Sequence, residues 1–166
     1  MATKEQTDKV DRLIATWEEQ LDIDLDVEAA VQRIQHVFRH IRRRMEETLT
    51  EAGLSHGEWS LLGHLALGGP PHRDSPGKLA GKEGLSSGAM TNRLDRLEEA
   101  GLIRRLPDPN DRRGLQIELT EAGHELWRKS VGVQAAKEAA LAEALTPREL
   151  EQLNRLLRKI LLRFES

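Results

Sequence analysis

Ser86, Ser87, Ala89, Thr91 and Asn92 gather small and hydrogen-bonding side chains on the early turns of a helical stretch, Leu85 to Leu97, that ends at Gly101. These types suit contact with duplex DNA. Asparagine pairs bidentately with adenine, threonine or alanine touches a thymine methyl, and small residues let helix-start amides approach a phosphate. Met90, Leu94 and Leu97 share another face and would anchor the helix to its lobe. The same pattern also suits an ordinary capped helix with a solvated face, so the neighbouring element decides between the two. That neighbour is a pair of strand-like runs, Leu102 to Leu106 and Leu115 to Leu119, joined by Pro107-Asp108-Pro109-Asn110-Asp111-Arg112-Arg113-Gly114. Arg112 and Arg113 stand at a hairpin tip with no core to join, and a narrow A·T-rich minor groove attracts such arginines. A local salt bridge that only shapes the turn is the other use of these charges. Helix plus basic hairpin puts one element in a major groove and another in the minor groove beside it, which reads as a winged helix-turn-helix.

Other chemistries find little support. The six histidines show no zinc-enzyme spacing; His36 and His40 are four apart on one helix, but no acidic triad completes a metal site. Phosphate-binding glycine loops, nucleophile elbows and paired catalytic carboxylates are missing, so neither an enzyme nor a cofactor is expected. The absence of cysteine excludes disulfides, thiolate metal sites and thiol sensing. Aromatic residues at 3% leave no stacking platform for single strands. A formal net charge of −3 over 166 residues means that DNA binding would rest on local asymmetry. No apolar run approaches a membrane span and the start lacks a signal-peptide core, so a cytoplasmic protein without membrane contact is expected.

The flanks must position this lobe. Val10, Leu13, Ile14, Trp17 and Leu21 repeat at helical spacing, and acidic Asp22, Asp24 and Asp26 interrupt them, with Asp26 suited to cap the next helix. From Val27 the apolar positions Val31, Ile34, Phe38, Ile41, Met45 and Leu49 form a narrow seam up to Gly53. Ser55 and Glu58 make a capping box before a helix stopped by Gly68-Gly69-Pro70-Pro71, and Ser75-Pro76 opens a short helix ending near Gly84. Thr120 caps a helix running to about Ala144. Thr146-Pro147-Arg148-Glu149 starts the last one, whose seam is Leu150, Leu153, Leu157, Ile160 and Phe164. The expected fold is mainly α with a small β wing. Residues 1–53 are an extension and a dimerisation helix, 54–119 the winged lobe, and 120–166 carboxy-terminal dimerisation helices. The two end seams pack on each other within one chain, or they build a two-fold dimer. Arg39, Arg42, Arg43 and Arg44 form a further basic run that suits a solvated helix face or phosphate contact.

The stretch from Ser86 to Gly123, with "TNRLDRLEEAGLIRR", "DPNDRRG" and "LTEAG", resembles the MarR family of bacterial transcription regulators. The resemblance implies a homodimer on a palindromic operator of double-stranded DNA, expected to act as a repressor and to be released by a small anionic ligand. It also makes Arg113 the minor-groove residue, with Asp111 holding its guanidinium. The Trp17-bearing helix ahead of the long seam is similar to the urate-responsive branch of that family. That branch implies a ligand site at Trp17, Arg93 and Arg105. Where it has an aspartate this chain has Ser60, which leaves room for an anion other than urate, such as a citrate-like tricarboxylate. Two other readings stay open: a related DNA-binding architectural factor or activator without an effector, and a winged module used only for protein contact.

Overall fold

Hydroxyl and carboxylate side chains decide where the helices begin. In the computed structural model, which describes residues 7–18, 20–109, 111 and 114–165, the helices are α1 (Lys9–Trp17), α2 (Leu25–Glu51), α3 (His56–Leu67), α4 (Pro76–Glu83), α5 (Ser87–Glu99), α6 (Glu121–Ala142) and α7 (Pro147–Phe164). The strands are β1 (Arg73–Asp74), β2 (Ile103–Pro107) and β3 (Leu115–Leu119). Ser55, Ser75, Ser86, Thr120 and Thr146 each accept a backbone N–H from the first turn of the helix they precede. The expected capping boxes at Ser55/Glu58 and Thr146/Glu149 are both formed. Between α4 and α5, Gly84 adopts φ 63°, a left-handed turn that a side chain would strain.

The protein is a mainly helical winged-helix fold with a small antiparallel sheet. Several boundaries differ from the sequence expectation. The first helix stops at Trp17 rather than Leu21, and Asp24, not Asp26, caps the second, accepting from the N–H groups of Asp26 and Val27 at 3.1 Å. The α5 helix starts at Ser87, two residues after Leu85, because Ser86 is its cap. A third strand, β1, joins the two expected ones, in the order β1-β3-β2. Arg73 pairs with Glu118 and Asp74 with Ile117, while β2 pairs with β3 from Ile103↔Leu119 to Pro107↔Leu115. A two-residue polar strand shows no alternation, so only its partner strand defines it.

Two compact units emerge, one from the described residues up to Arg44 and one from Met45 onward. In the first, Arg33 of α2 binds Asp8 at 2.9 Å and also Asp11 at the start of α1. In the second, Leu61, Leu62 and Leu65 of α3, Leu79 of α4, the α5 anchors and Ile103 and Ile117 of the sheet form a single core, each at most 2% exposed. Burial of a leucine of this kind contributes about 1.5–3 kcal/mol, so the core fixes where α5 and the wing stand.

Candidate nucleic-acid interface

The α5 helix is divided into faces by burial. Met90, Leu94 and Leu97 are buried, whereas Ser86, Ser87, Ala89, Thr91 and Asn92 are exposed. The Ser86 hydroxyl accepts the Ala89 N–H at 3.3 Å, and a hydroxyl that accepts in this way still has a proton to donate outward. Thr91 Oγ1 donates to the Ser87 carbonyl at 2.9 Å, an internal bond that sets its rotamer. Arg93 turns to a third side, where its Nη1 donates to Glu83 at 2.7 Å and to the Gly57 carbonyl at 3.3 Å.

The wing turn is closed from within. Asp108 N–H donates to the Gly114 carbonyl at 3.0 Å, Gly114 N–H to the Asp111 carbonyl at 2.9 Å, and Gln116 Nε2 to Asp108 Oδ2 at 2.6 Å. Asp111 is exposed. Arg112 and Arg113, the expected minor-groove residues, lie outside the described residues. Arg105 ties the wing to α5: its Nη1 donates to Glu98 and its Nη2 to Asp95, both at 2.6 Å.

At the wing base Glu118 of β3 sits across from Arg73 and Arg104, and its carboxylate accepts from both, so one buried acid links three strands. The Arg104 and Arg73 guanidiniums hold its carboxyl below the ordinary value. A depressed folded value contributes stability above the unfolded glutamate pKa of about 4.3, and that contribution is lost as pH falls through the lower folded value. Glu118→Gln should therefore lower the denaturant midpoint at neutral pH and flatten its decline in acid. A Glu118→Gln variant whose midpoint follows the wild-type acid profile would contradict this.

The residues carried over for an anion occupy separate settings. Trp17 closes α1 in the first unit and is half-buried. In the second unit Arg93 is engaged by Glu83, Arg105 by Asp95 and Glu98, and the Ser60 hydroxyl donates to Glu83 at 2.6 Å. Both arginines thus have carboxylate partners supplied by the chain, which the sequence reading lacked. Nothing local in the sequence sets Glu83 and Glu118 apart among 28 acidic residues. Among the described residues no group of three or more metal-ligating side chains occurs, and no helix is long and apolar enough to cross a membrane.

The MarR family sequence model matches residues 54–115, the lobe that holds these faces. Over 153 residues the chain is 28% identical to the HTH-type transcriptional regulator PecS of Dickeya dadantii (strain 3937), covering 92% of each chain. It is 30% identical over 139 residues to the uncharacterized HTH-type transcriptional regulator YkoM of Bacillus subtilis (strain 168), covering 80% of this chain and 88% of that one. The crystal structure of NadR in complex with 4-hydroxyphenylacetate is similar with a TM-score of 0.58 and 25% identity, over 78% of this chain and 89% of that one. PecS and YkoM are both described as HTH-type transcriptional regulators. Sequence similarity that runs well beyond the lobe, joined to a helix and wing built in this way, makes the protein a member of the MarR family: a winged-helix, DNA-binding transcription regulator.

Proposed function

We propose that the chain works as a homodimeric repressor: two copies grip a palindromic operator and release it when a small anion binds. The observation that carries the dimer is α7, where every described residue is exposed, including Leu150, Leu153, Leu157, Ile160 and Phe164. Such a stripe in water calls for a partner, and obligate interfaces bury more than about 2,000 Å². In this reading residues 1–53 and 120–166 supply the dimer contacts and 54–119 the DNA lobe. A two-fold dimer sets its reading helices about 34 Å apart, one turn of duplex, which makes the operator a palindrome. Ser86, Ser87, Ala89, Thr91 and Asn92 meet the major groove, and Asp111, Arg112 and Arg113 the minor groove.

The effector is the finer part of the reading. NadR was solved with an aromatic carboxylate, and Arg93, Arg105 and Ser60 offer chemistry for an anion of that class. An incoming carboxylate has to displace Glu83 from Arg93, or Asp95 and Glu98 from Arg105. That internal pairing favours a second reading, in which the protein acts on DNA without an effector as an architectural factor or activator. One experiment tests both. The duplex that the protein selects from a randomised pool is bound by wild type and by Arg113→Ala, then titrated with 4-hydroxyphenylacetate, citrate and urate. Arg113→Ala should cost about 1–3 kcal/mol per base contact and lower the salt slope by about one ion per site. Unchanged affinity and slope would remove the wing from the interface. Release by one of the anions supports the effector, whereas indifference to all three supports the second reading.

A further inference from the structure

The Glu83 side chain, only 10% exposed, ends α4 and joins three helices. Its Oε2 accepts Arg93 Nη1 of α5 at 2.7 Å. Its Oε1 accepts the Ser60 hydroxyl of α3 at 2.6 Å and lies 3.0 Å from His64 Nε2 on the same helix. Arg93 has a second hold on α3 through the Gly57 carbonyl, and the missing side chain of Gly57 admits it. A Cβ there would stand 2.3 Å from Arg93 Cζ.

The apolar anchors and this cluster act on α5 in different ways. Met90, Leu94 and Leu97 fix which face of α5 is buried, but apolar contact is non-directional and resists small turns of the helix about its axis only weakly. A charge-assisted pair is directional, and it fixes that rotation. Side chains extend about 5–6 Å from a helix axis, so a turn of about 20° carries their tips about 2 Å. That shift breaks a hydrogen bond to a base edge, and Thr91 and Asn92 immediately precede Arg93. The pair also keeps the Arg93 cation from DNA phosphates, where it would add affinity without sequence preference.

We propose that Glu83 is a specificity-determining positioning residue: acting through Arg93, it sets the rotation of α5 and withholds the Arg93 cation from phosphate. The proposal rests on α5 being the DNA-reading helix. The full-length protein is tested on the duplex it selects from a randomised pool and on a scrambled duplex of equal length. Glu83→Gln should weaken binding to the selected duplex about tenfold or more and leave binding to the scrambled one unchanged or tighter. The salt slope on the scrambled duplex should steepen by about one unit per protomer as Arg93 is released. Adding Arg93→Gln should restore that slope while the selected duplex stays weakly bound. A loss of folding alone would lower both affinities together, so equal losses or an unchanged selectivity in Glu83→Gln would overturn the proposal. Should that variant fail to fold, as judged by its thermal melt, the doubly neutral variant carries no lone buried charge and decides the matter through its selectivity. If neither folds, the cluster serves folding alone and the proposal is overturned. A wild-type chain that selects no sequence from the pool would refute the underlying reading of α5, and this one with it.

Discussion

Gly123→Ala should cost about 3 kcal/mol of stability, at the upper end of overpacking effects. A Cβ at this position would stand 2.1 Å from the Leu102 carbonyl oxygen and 2.8 Å from Leu119 Cδ1. The carbonyl has little freedom to retreat, because it accepts the Thr120 N–H at 3.1 Å, while Thr120 Oγ1 donates to the Gly101 carbonyl at 2.8 Å. Thr120 also caps the Gly123 N–H at 3.1 Å, so the first turn of α6 is pinned to the junction of α5 and β2 from both sides. The loss should appear as a lowered denaturant midpoint. Gly132→Ala on the same helix, with open space around it, is the control and should stabilise by about 0.5–1 kcal/mol. Equal behaviour of the two variants would show that the close approach at Gly123 does not exist. The "LTEAG" run therefore has a steric origin: Thr120 docks the helix, and Gly123 makes room for the strand it docks on.

The second large effect is expected at α7. Leu150, Leu153, Leu157, Ile160 and Phe164 recur in steps of three and four, and Phe164 is 81% exposed. Arg155, Arg158, Lys159 and Arg163 line a different side of the same helix. Covering each large apolar side chain contributes about 1.5–3 kcal/mol, which summed over two chains offsets an association cost of about 4–15 kcal/mol. Sedimentation at micromolar concentration should give twice the 18.7 kDa chain mass for the wild type. Leu157→Glu combined with Ile160→Glu should give a monomer or an aggregate, and DNA affinity should fall with it because a palindrome needs both heads. A stable wild-type monomer at that concentration would end the dimer reading.

Local rules made much of this protein legible from its residues alone. Capping acts over three residues, so Ser55 with Glu58 and Thr146 with Glu149 announced their helices. Amphipathic spacing acts over one or two turns, so Met90, Leu94 and Leu97 declared the buried side of α5, and the wing strands lay within a residue of their expected places. Small errors came where several acids competed for one task, as when Asp24 rather than Asp26 capped α2.

The ion pairs and hydrogen bonds that hold the lobe in shape were decided only in three dimensions. Arg73 meets Glu118 across 45 positions, Ser60 meets Glu83 across 23, and Arg93 meets Glu83 across 10. Periodicity and composition hold no information about which of 28 acids faces which of 25 basic residues. That choice waits for the apolar core to bring α3, α4, α5 and the sheet together. The two-residue strand β1 has the same cause: Arg73 and Asp74 have no strand pattern of their own and become a strand because β3 offers an edge. Sequence by itself therefore determined the elements and which side of α5 stays exposed, and tertiary packing determined which charges meet around that helix.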